Sequence, residues 1–93
     1  MFLRLRTRND TEAVKWFRLA ADHGNAEAQY NLGVRYYEGL GVPKDYVRAY
    51  MWHNLATGRG FKLAAEGRDT VEKRMTPAQI AEAQKLAREW KPK

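Results

Sequence analysis

The sequence predicts an all-α fold: a short right-handed α-solenoid of antiparallel helix pairs, with about five helices and a C-terminal capping helix. The first observation is a pattern that returns after 36 positions: Trp16, Ala20 and Gly24 recur as Trp52, Ala56 and Gly60. A fixed period of this length is typical of stacked repeats. The second is that apolar residues recur at helical spacing through most of the chain. The third is a set of cap and stop residues that divides these helical stretches.

The beginning of the chain predicts an incomplete repeat. Asp10 and Thr11 are residue types that favour a helix N-cap, so we expect residues 1–9 to form an irregular N-terminal segment. Residues 10–24 then form the second helix of a repeat whose first helix has no counterpart in the sequence. Trp16 and Phe17 lie on this helix and lack the cover that a first helix would give them.

Residues 25–60 predict one complete repeat. A helix is expected over residues 26–38, after the stop signal Gly24-Asn25, and a second over residues 46–58. The glycines and Pro43 between them predict a turn. Gly33 lies inside the first of these helices, where glycine costs about 1 kcal/mol relative to alanine. We therefore expect it to let the second helix of the repeat approach closely, near Ala49 and Trp52.

Residues 61–93 predict C-terminal capping helices within the same single domain. The segment 62–74 carries polar residues where a further repeat would need apolar ones, as the open end of a solenoid requires. Thr76, Pro77 and Gln79 then supply a capping hydroxyl, a proline at the first helical position and a capping-box glutamine. A last helix is expected to begin there.

These residues resemble the Sel-one-like repeat, a helix-turn-helix relative of the tetratricopeptide repeat. The resemblance covers residues 9–60 and depends on one 36-residue frame, whose residues are Ala28, Leu32, Gly33, Tyr36, Gly39, Gly41, Val42, Asp45, Ala49, Trp52, Ala56 and Gly60. It implies a binding surface, because the first helices of related repeats line a concave groove.

Composition and charge argue against several functional classes. The formal net charge of +6 lies at the two ends, while residues 25–58 hold three basic and three acidic side chains. Several end charges pair at helical spacing, such as Lys62 with Glu66, which favours a solvated face over a nucleic-acid-binding track. The chain has no cysteine and no serine, and its glycines form no phosphate-binding loop. We expect no catalytic residues and no cofactor.

Two histidines are too few for a metal site, so none is predicted. A zinc site needs three or four ligands at compatible spacing, and His23 and His53 lack a third. Each histidine is instead expected to be exposed or hydrogen-bonded.

Two candidate surfaces follow. The first is a partner-binding groove on the helix 26–38, formed by Glu27, Tyr30, Val34, Tyr37 and Glu38. Tyrosines suit binding surfaces, but these two can equally pack against neighbouring helices, and both alternatives stay open. The second is a self-association surface formed by Phe2, Leu3, Leu5, Trp16 and Phe17. The alternative is that the first three fold back over the two aromatic residues within the same chain.

The sequence thus predicts a non-catalytic module that binds protein or peptide as an adaptor or regulatory scaffold. The alternative is a structural end-cap or self-associating fragment of a longer repeat array, with possible homo-oligomers. Weak nucleic-acid binding through the basic ends ranks lower, and no membrane partner is expected. The chain as given has no signal-peptide pattern, which predicts a cytoplasmic location, or a periplasmic or secreted one if a longer precursor exists.

Overall fold

Five α-helices form the described part of the chain. A computed structural model describes the backbone of residues 2–93 and the side chains of residues 9–93. The helices are α1 (Phe2–Asp22), α2 (Ala26–Glu38), α3 (Tyr46–Gly58), α4 (Lys62–Glu72) and α5 (Pro77–Glu89). Residues 2–93 contain no strand, which confirms the predicted all-α class. Across these residues, no helix combines the length and apolar character needed to span a membrane.

The first helix begins earlier than predicted. It starts at Phe2, so residues 2–9 of the expected irregular segment 1–9 are helical, and the expected helix start at Asp10 is wrong. The physical reason lies in the local sequence, because residues 2–9 contain neither proline nor glycine to interrupt a helix. Asp10 does not cap the helix. Its carboxylate lies inside α1 and forms an ion pair with the Arg35 guanidinium of α2.

Side-chain caps begin three of the helices where the sequence predicts. The Asn25 side chain accepts a hydrogen bond from the Ala28 N–H at 2.8 Å, and Asp45 caps α3 in the same way. At α5, Thr76 and Gln79 form the complete capping box, and Pro77 occupies the first turn. Each cap satisfies N–H groups that have no partner within the helix.

The turn between α2 and α3 depends on two glycines. Gly39 ends α2 in the left-handed region at φ 71°, and its N–H donates to the Arg35 carbonyl at 2.8 Å. Gly41 has φ 82°, and a Cβ atom there would lie 2.5 Å from the Asp10 carbonyl oxygen. The turn therefore packs directly on α1 at a place where a side chain does not fit.

Helix α3 lies at the centre of the packing. It contacts α2, α4 and α5, while α2 also contacts α1 and, less extensively, α4. The buried apolar core draws on all five helices: Val14, Ala21, Ala28, Leu32, Tyr36, Ala49, Tyr50, Met51, Trp52, Val71, Ala83 and Ala87. Its small residues let the helix axes approach, and its aromatic residues fill the space between them.

An extended tail follows α5 and returns to α1. Trp90 leaves the helix with φ −70° and ψ 140°, and its ring meets the Trp52 ring edge-on at a centroid distance of 6.1 Å. Three residues later, the Lys93 N–H donates to the Asp22 carbonyl at 2.8 Å. The Lys93 carbonyl accepts a hydrogen bond from His23 Nδ1, also at 2.8 Å. The tail thus joins the last helix to the end of the first.

Candidate functional site

A groove between α2 and α4 is the candidate site. Its cavity has a volume of about 210 Å³. We call it the α2–α4 groove, and its lining residues come from three helices: Tyr30, Val34, Tyr37 and Glu38 of α2, His53 of α3, and Gly67, Thr70 and Val71 of α4. Four of the five residues predicted for the partner-binding groove therefore lie together.

Glu27 is the predicted groove residue that lies elsewhere. It is exposed and borders a separate cleft between α1 and α2, together with Phe17 and Asn31. Helical spacing placed Glu27 near the other four on one side of α2. The neighbouring helices decide which part of that side belongs to which cleft, and sequence periodicity does not contain that information.

Tyr30 and Tyr37 both pack and line the groove. Each is half-buried. The Tyr30 ring lies 5.3 Å from the ring centroids of His53 and of Phe61, and the Tyr37 ring lies 5.6 Å from that of Tyr46. These distances are within the range of favourable aromatic contacts. Both rings thus pack against neighbouring residues of the fold and also border the groove, and their role in partner binding stays a prediction.

His53 forms the floor of the groove. Its side chain is 2% exposed, and its Nδ1 atom has no hydrogen-bond partner in the described residues. Burial disfavours the charged imidazolium and lowers the pKa of His53 from 6.5 to about 4. The ring is therefore neutral at pH 7.

The His53 imidazole packs closely against two glycines on opposite helices. A Cβ atom at Gly33 of α2, or at Gly67 of α4, would lie 2.9 Å from the His53 ring. The prediction that Gly33 permits close packing against the second helix of the repeat is confirmed. The side chain nearest to this space is that of His53, the residue after Trp52, which the sequence did not predict as the neighbour of Gly33.

The two histidines differ. His23 is exposed and hydrogen-bonded to the tail, as expected. His53 is neither exposed nor hydrogen-bonded at Nδ1, so that expectation is wrong for it. One sequence signal existed: in the 36-residue frame, His53 takes the place that Phe17 holds in the preceding repeat. The sequence signal for the buried His53 is therefore a polar ring at an aromatic position of the repeat, together with glycines inside two helices.

The predicted self-association surface is open in part. Trp16 is 64% exposed and Leu19 is 50% exposed, both on α1. Phe17 is half-buried, and the Arg35 guanidinium lies 5.7 Å from its ring centroid. The side chains of Phe2, Leu3 and Leu5 lie outside the described residues.

The described side chains, residues 9–93, contain no cluster of three or more His, Cys, Asp or Glu residues placed to hold a metal ion. The lining of the α2–α4 groove combines aromatic, apolar and polar groups. It has two phenol rings, two valines, one neutral imidazole and one carboxylate. Aromatic surface with a few polar groups favours the binding of a ligand or a partner side chain.

Comparison with known proteins gives relatives of the same repeat type. A solved structure, a protective antigen of uropathogenic Escherichia coli strains with an SLR fold, superposes with a TM-score of 0.83 and 38% identity. This match covers 87% of the present chain and 18% of that chain.

Two curated relatives are much longer than this chain. The chitin synthase regulator SKT5 of Malassezia restricta is 35% identical over 63 residues, which is 68% of this chain and 4% of the relative. The DAP3-binding cell death enhancer 1 of Rattus norvegicus is 38% identical over 58 residues, 62% of this chain and 11% of the relative. The present chain therefore corresponds to a small part of each.

The family comparison agrees with the resemblance predicted from the 36-residue frame. The model described as Sel1 repeat matches residues 4–25 and residues 26–61, more than half of the chain. The boundary between the two matches falls at the cap of α2. The chain belongs to the Sel1 repeat family.

Proposed function

We propose that this chain is a non-catalytic scaffold module that binds a protein or peptide partner through the α2–α4 groove. The observation that carries the proposal is the convergence of Tyr30, Val34 and Tyr37 on one open cavity between two helices. Two relatives support it by name, since one is a chitin synthase regulator and the other a DAP3-binding protein.

The groove has the features of a binding hot spot. Tyr30 and Tyr37 offer large, rigid aromatic surfaces, and their ring contacts with His53 and Tyr46 fix their positions before a partner binds. Preorganised side chains lose little conformational entropy on binding. Aromatic residues at the centre of an interface commonly contribute the most to affinity.

The test begins with peptides selected from a random library against the whole chain, whose binding is measured by fluorescence polarisation. Two groove variants, Glu38→Lys and Thr70→Trp, change exposed rim positions and so spare the core. We expect each to weaken the selected peptides by about 1–2 kcal/mol. Glu82→Lys, the same charge change at an exposed position of α5, is the matched control and should have no effect.

Peptides that bind equally well to both groove variants would contradict the proposal. Tyr30→Ala and Tyr37→Ala are poorer tests, because each removes a ring contact within the fold and lowers stability. Tyr37→Phe keeps the ring and tests the hydroxyl alone.

A second candidate function is self-association through the exposed side of α1. The exposed Trp16 and Leu19 favour it, since large apolar side chains on a surface commonly mark an interface. Sedimentation velocity between about 1 and 200 μM tests it, a range that spans micromolar dissociation constants. A dimer that Trp16→Glu disrupts supports this function, whereas a monomer throughout this range argues against it.

A further inference from the structure

The imidazole at the floor of the α2–α4 groove has one nitrogen that forms no hydrogen bond with the described residues. His53 Nδ1 is buried without a hydrogen bond, and leaving a buried polar atom unpaired costs about 1–3 kcal/mol. The corresponding position of the preceding repeat holds an aromatic ring without a polar atom, Phe17. Because His53 lines the groove, it presents to an occupant a hydrogen-bonding ring that Phe17 does not provide in the preceding repeat.

The lining of the groove also contains a carboxylate. Glu38 is the only charged residue in the lining, and the described residues form no salt bridge with it. A carboxylate only accepts hydrogen bonds, and a neutral imidazole has one accepting nitrogen. An occupant with positive charge and several N–H donors would complement this set.

The two tyrosine rings that border the cavity also favour an occupant with positive charge. Tyr30 and Tyr37 border the cavity, and tyrosine rings attract cations that lie over their faces. A guanidinium group is flat, stacks on aromatic rings and sheds water more readily than an ammonium group. The cavity volume of about 210 Å³ admits a side-chain end group and excludes a large ligand.

We infer that the α2–α4 groove takes an arginine side chain of the bound peptide, whose guanidinium donates to the His53 imidazole and the Glu38 carboxylate. This inference rests on the proposed function and names the partner side chain that the groove selects. The lowered pKa of His53 agrees with it, because the neutral ring keeps a lone pair available at pH 7.

The first test uses three small probes in NMR titrations of the whole chain: the N-acetyl N-methylamides of arginine, citrulline and norleucine. Citrulline has nearly the shape of arginine without its charge, and norleucine has neither charge nor donors in its side chain. We expect the arginine probe to give saturable shifts at the His53 ring nitrogens and the Gly67 and Thr70 amides. The citrulline probe should bind about tenfold more weakly, and the norleucine probe should not saturate.

Two variants test the accepting groups separately. Glu38→Gln changes an exposed residue and should leave the melting temperature unchanged, while weakening the arginine probe about fivefold or more. His53→Phe keeps an aromatic ring and removes the acceptor, with a similar loss expected. Glu82→Gln on α5 is the matched control. If His53→Phe does not fold, Glu38→Gln and the three probes still decide the question.

Equal binding of the three probes, or arginine binding that Glu38→Gln does not change, would overturn the inference. The selected peptides separate its failure from that of the proposed function. If the groove variants weaken peptides that show no enrichment in arginine, the groove binds partners and the arginine inference is wrong. If the groove variants leave all selected peptides unaffected, both are wrong.

Discussion

At the residue scale, His53 makes folding depend on pH. Its side chain is 2% exposed, and burial lowers its pKa in the folded chain to about 4, against 6.5 in the unfolded chain. Between these values the unfolded chain binds one more proton than the folded chain does. Stability then rises with pH across this interval and does not depend on His53 above it.

We therefore expect the His53 contribution to the free energy of unfolding to be complete above pH 6.5. It should fall by about 3 kcal/mol as the pH drops to 4. Urea denaturation at several pH values measures this. Carboxylates also titrate near pH 4, so the comparison is with His53→Phe, whose stability should change less over the same interval. Parallel curves for the two proteins would contradict the prediction.

Gly33 gives a second residue-scale prediction. Gly33→Ala adds a Cβ atom 2.9 Å from the His53 ring, and we expect the crowding to exceed the gain of about 1 kcal/mol in helix propensity. The variant should lose about 1–2 kcal/mol of stability in thermal or urea melts.

Gly58→Ala is the matched control, because a Cβ atom at Gly58 meets nothing within 4 Å. It should be neutral or stabilising. A Gly33→Ala variant that is as stable as Gly58→Ala would mean that the imidazole moves aside at little cost. Combining Gly33→Ala with His53→Ala should relieve the crowding, which a double-mutant cycle detects as coupling.

At the scale of elements, α1 and α3 show how neighbouring helices determine the burial of equivalent residues. Trp16 and Trp52 occupy the same position in the 36-residue frame, yet Trp16 is 64% exposed and Trp52 is 4% exposed. Ala13 and Ala20 of α1 are half-buried, whereas their counterparts in α3 are fully covered. The difference comes from packing and not from the residue type.

This comparison predicts that replacing each tryptophan with alanine lowers stability by unequal amounts. Trp52→Ala removes a buried ring and its edge contact with Trp90, and should cost about 3–5 kcal/mol. Trp16→Ala should cost less than about 1 kcal/mol in the monomer. Melting curves at low protein concentration measure both. A large loss for Trp16→Ala that grows with protein concentration would favour the self-association function.

The helix boundaries also show which features of the fold the sequence predicts. Stop, turn and cap residues act locally, so the stop signal Gly24-Asn25, the turn around Pro43 and the capping residue Thr76 predicted where α2, α3 and α5 begin. Asp10 has the same local character, but its carboxylate pairs with Arg35, twenty-five residues away. A local rule does not distinguish a cap from a long-range ion pair.

The same limit applies to the candidate site. Periodicity along α2 brought Tyr30, Val34 and Tyr37 together correctly, because they belong to one helix. His53 and Thr70 reach the groove from α3 and α4, and only tertiary packing brings them there. The sequence thus predicted one wall of the groove and not its floor or its opposite wall.

At the scale of the whole molecule, three arginines are held by contacts within the fold. Arg35 pairs with Asp10, and Arg68 donates to the Asn54 side chain at 2.9 Å. Arg18 donates to the Tyr36 hydroxyl at 2.5 Å. Guanidinium groups held by these contacts are poorly placed to follow a phosphate backbone.

We accordingly expect only weak, non-specific nucleic-acid binding. Affinity for duplex or single-stranded nucleic acid should fall steeply with salt and be lost near 0.15 M. Neutralising the exposed Lys73, Arg74, Arg88 and Lys91 should flatten that dependence. Electrophoretic shifts at a series of salt concentrations test this. Submicromolar binding at physiological salt would make the basic ends the functional surface.

The tail after α5 has a consequence for how the molecule unfolds. In most repeat arrays each unit contacts only its neighbours, and the ends fray independently. Here the hydrogen bonds between Lys93 and the Asp22–His23 corner join residues about seventy positions apart. Opening of the last helix then loosens the end of the first, so amide hydrogen exchange in α1 near Asp22 and in α5 should proceed at matched rates. We therefore expect the contact between the tail and the end of α1 to couple the opening of α1 and α5.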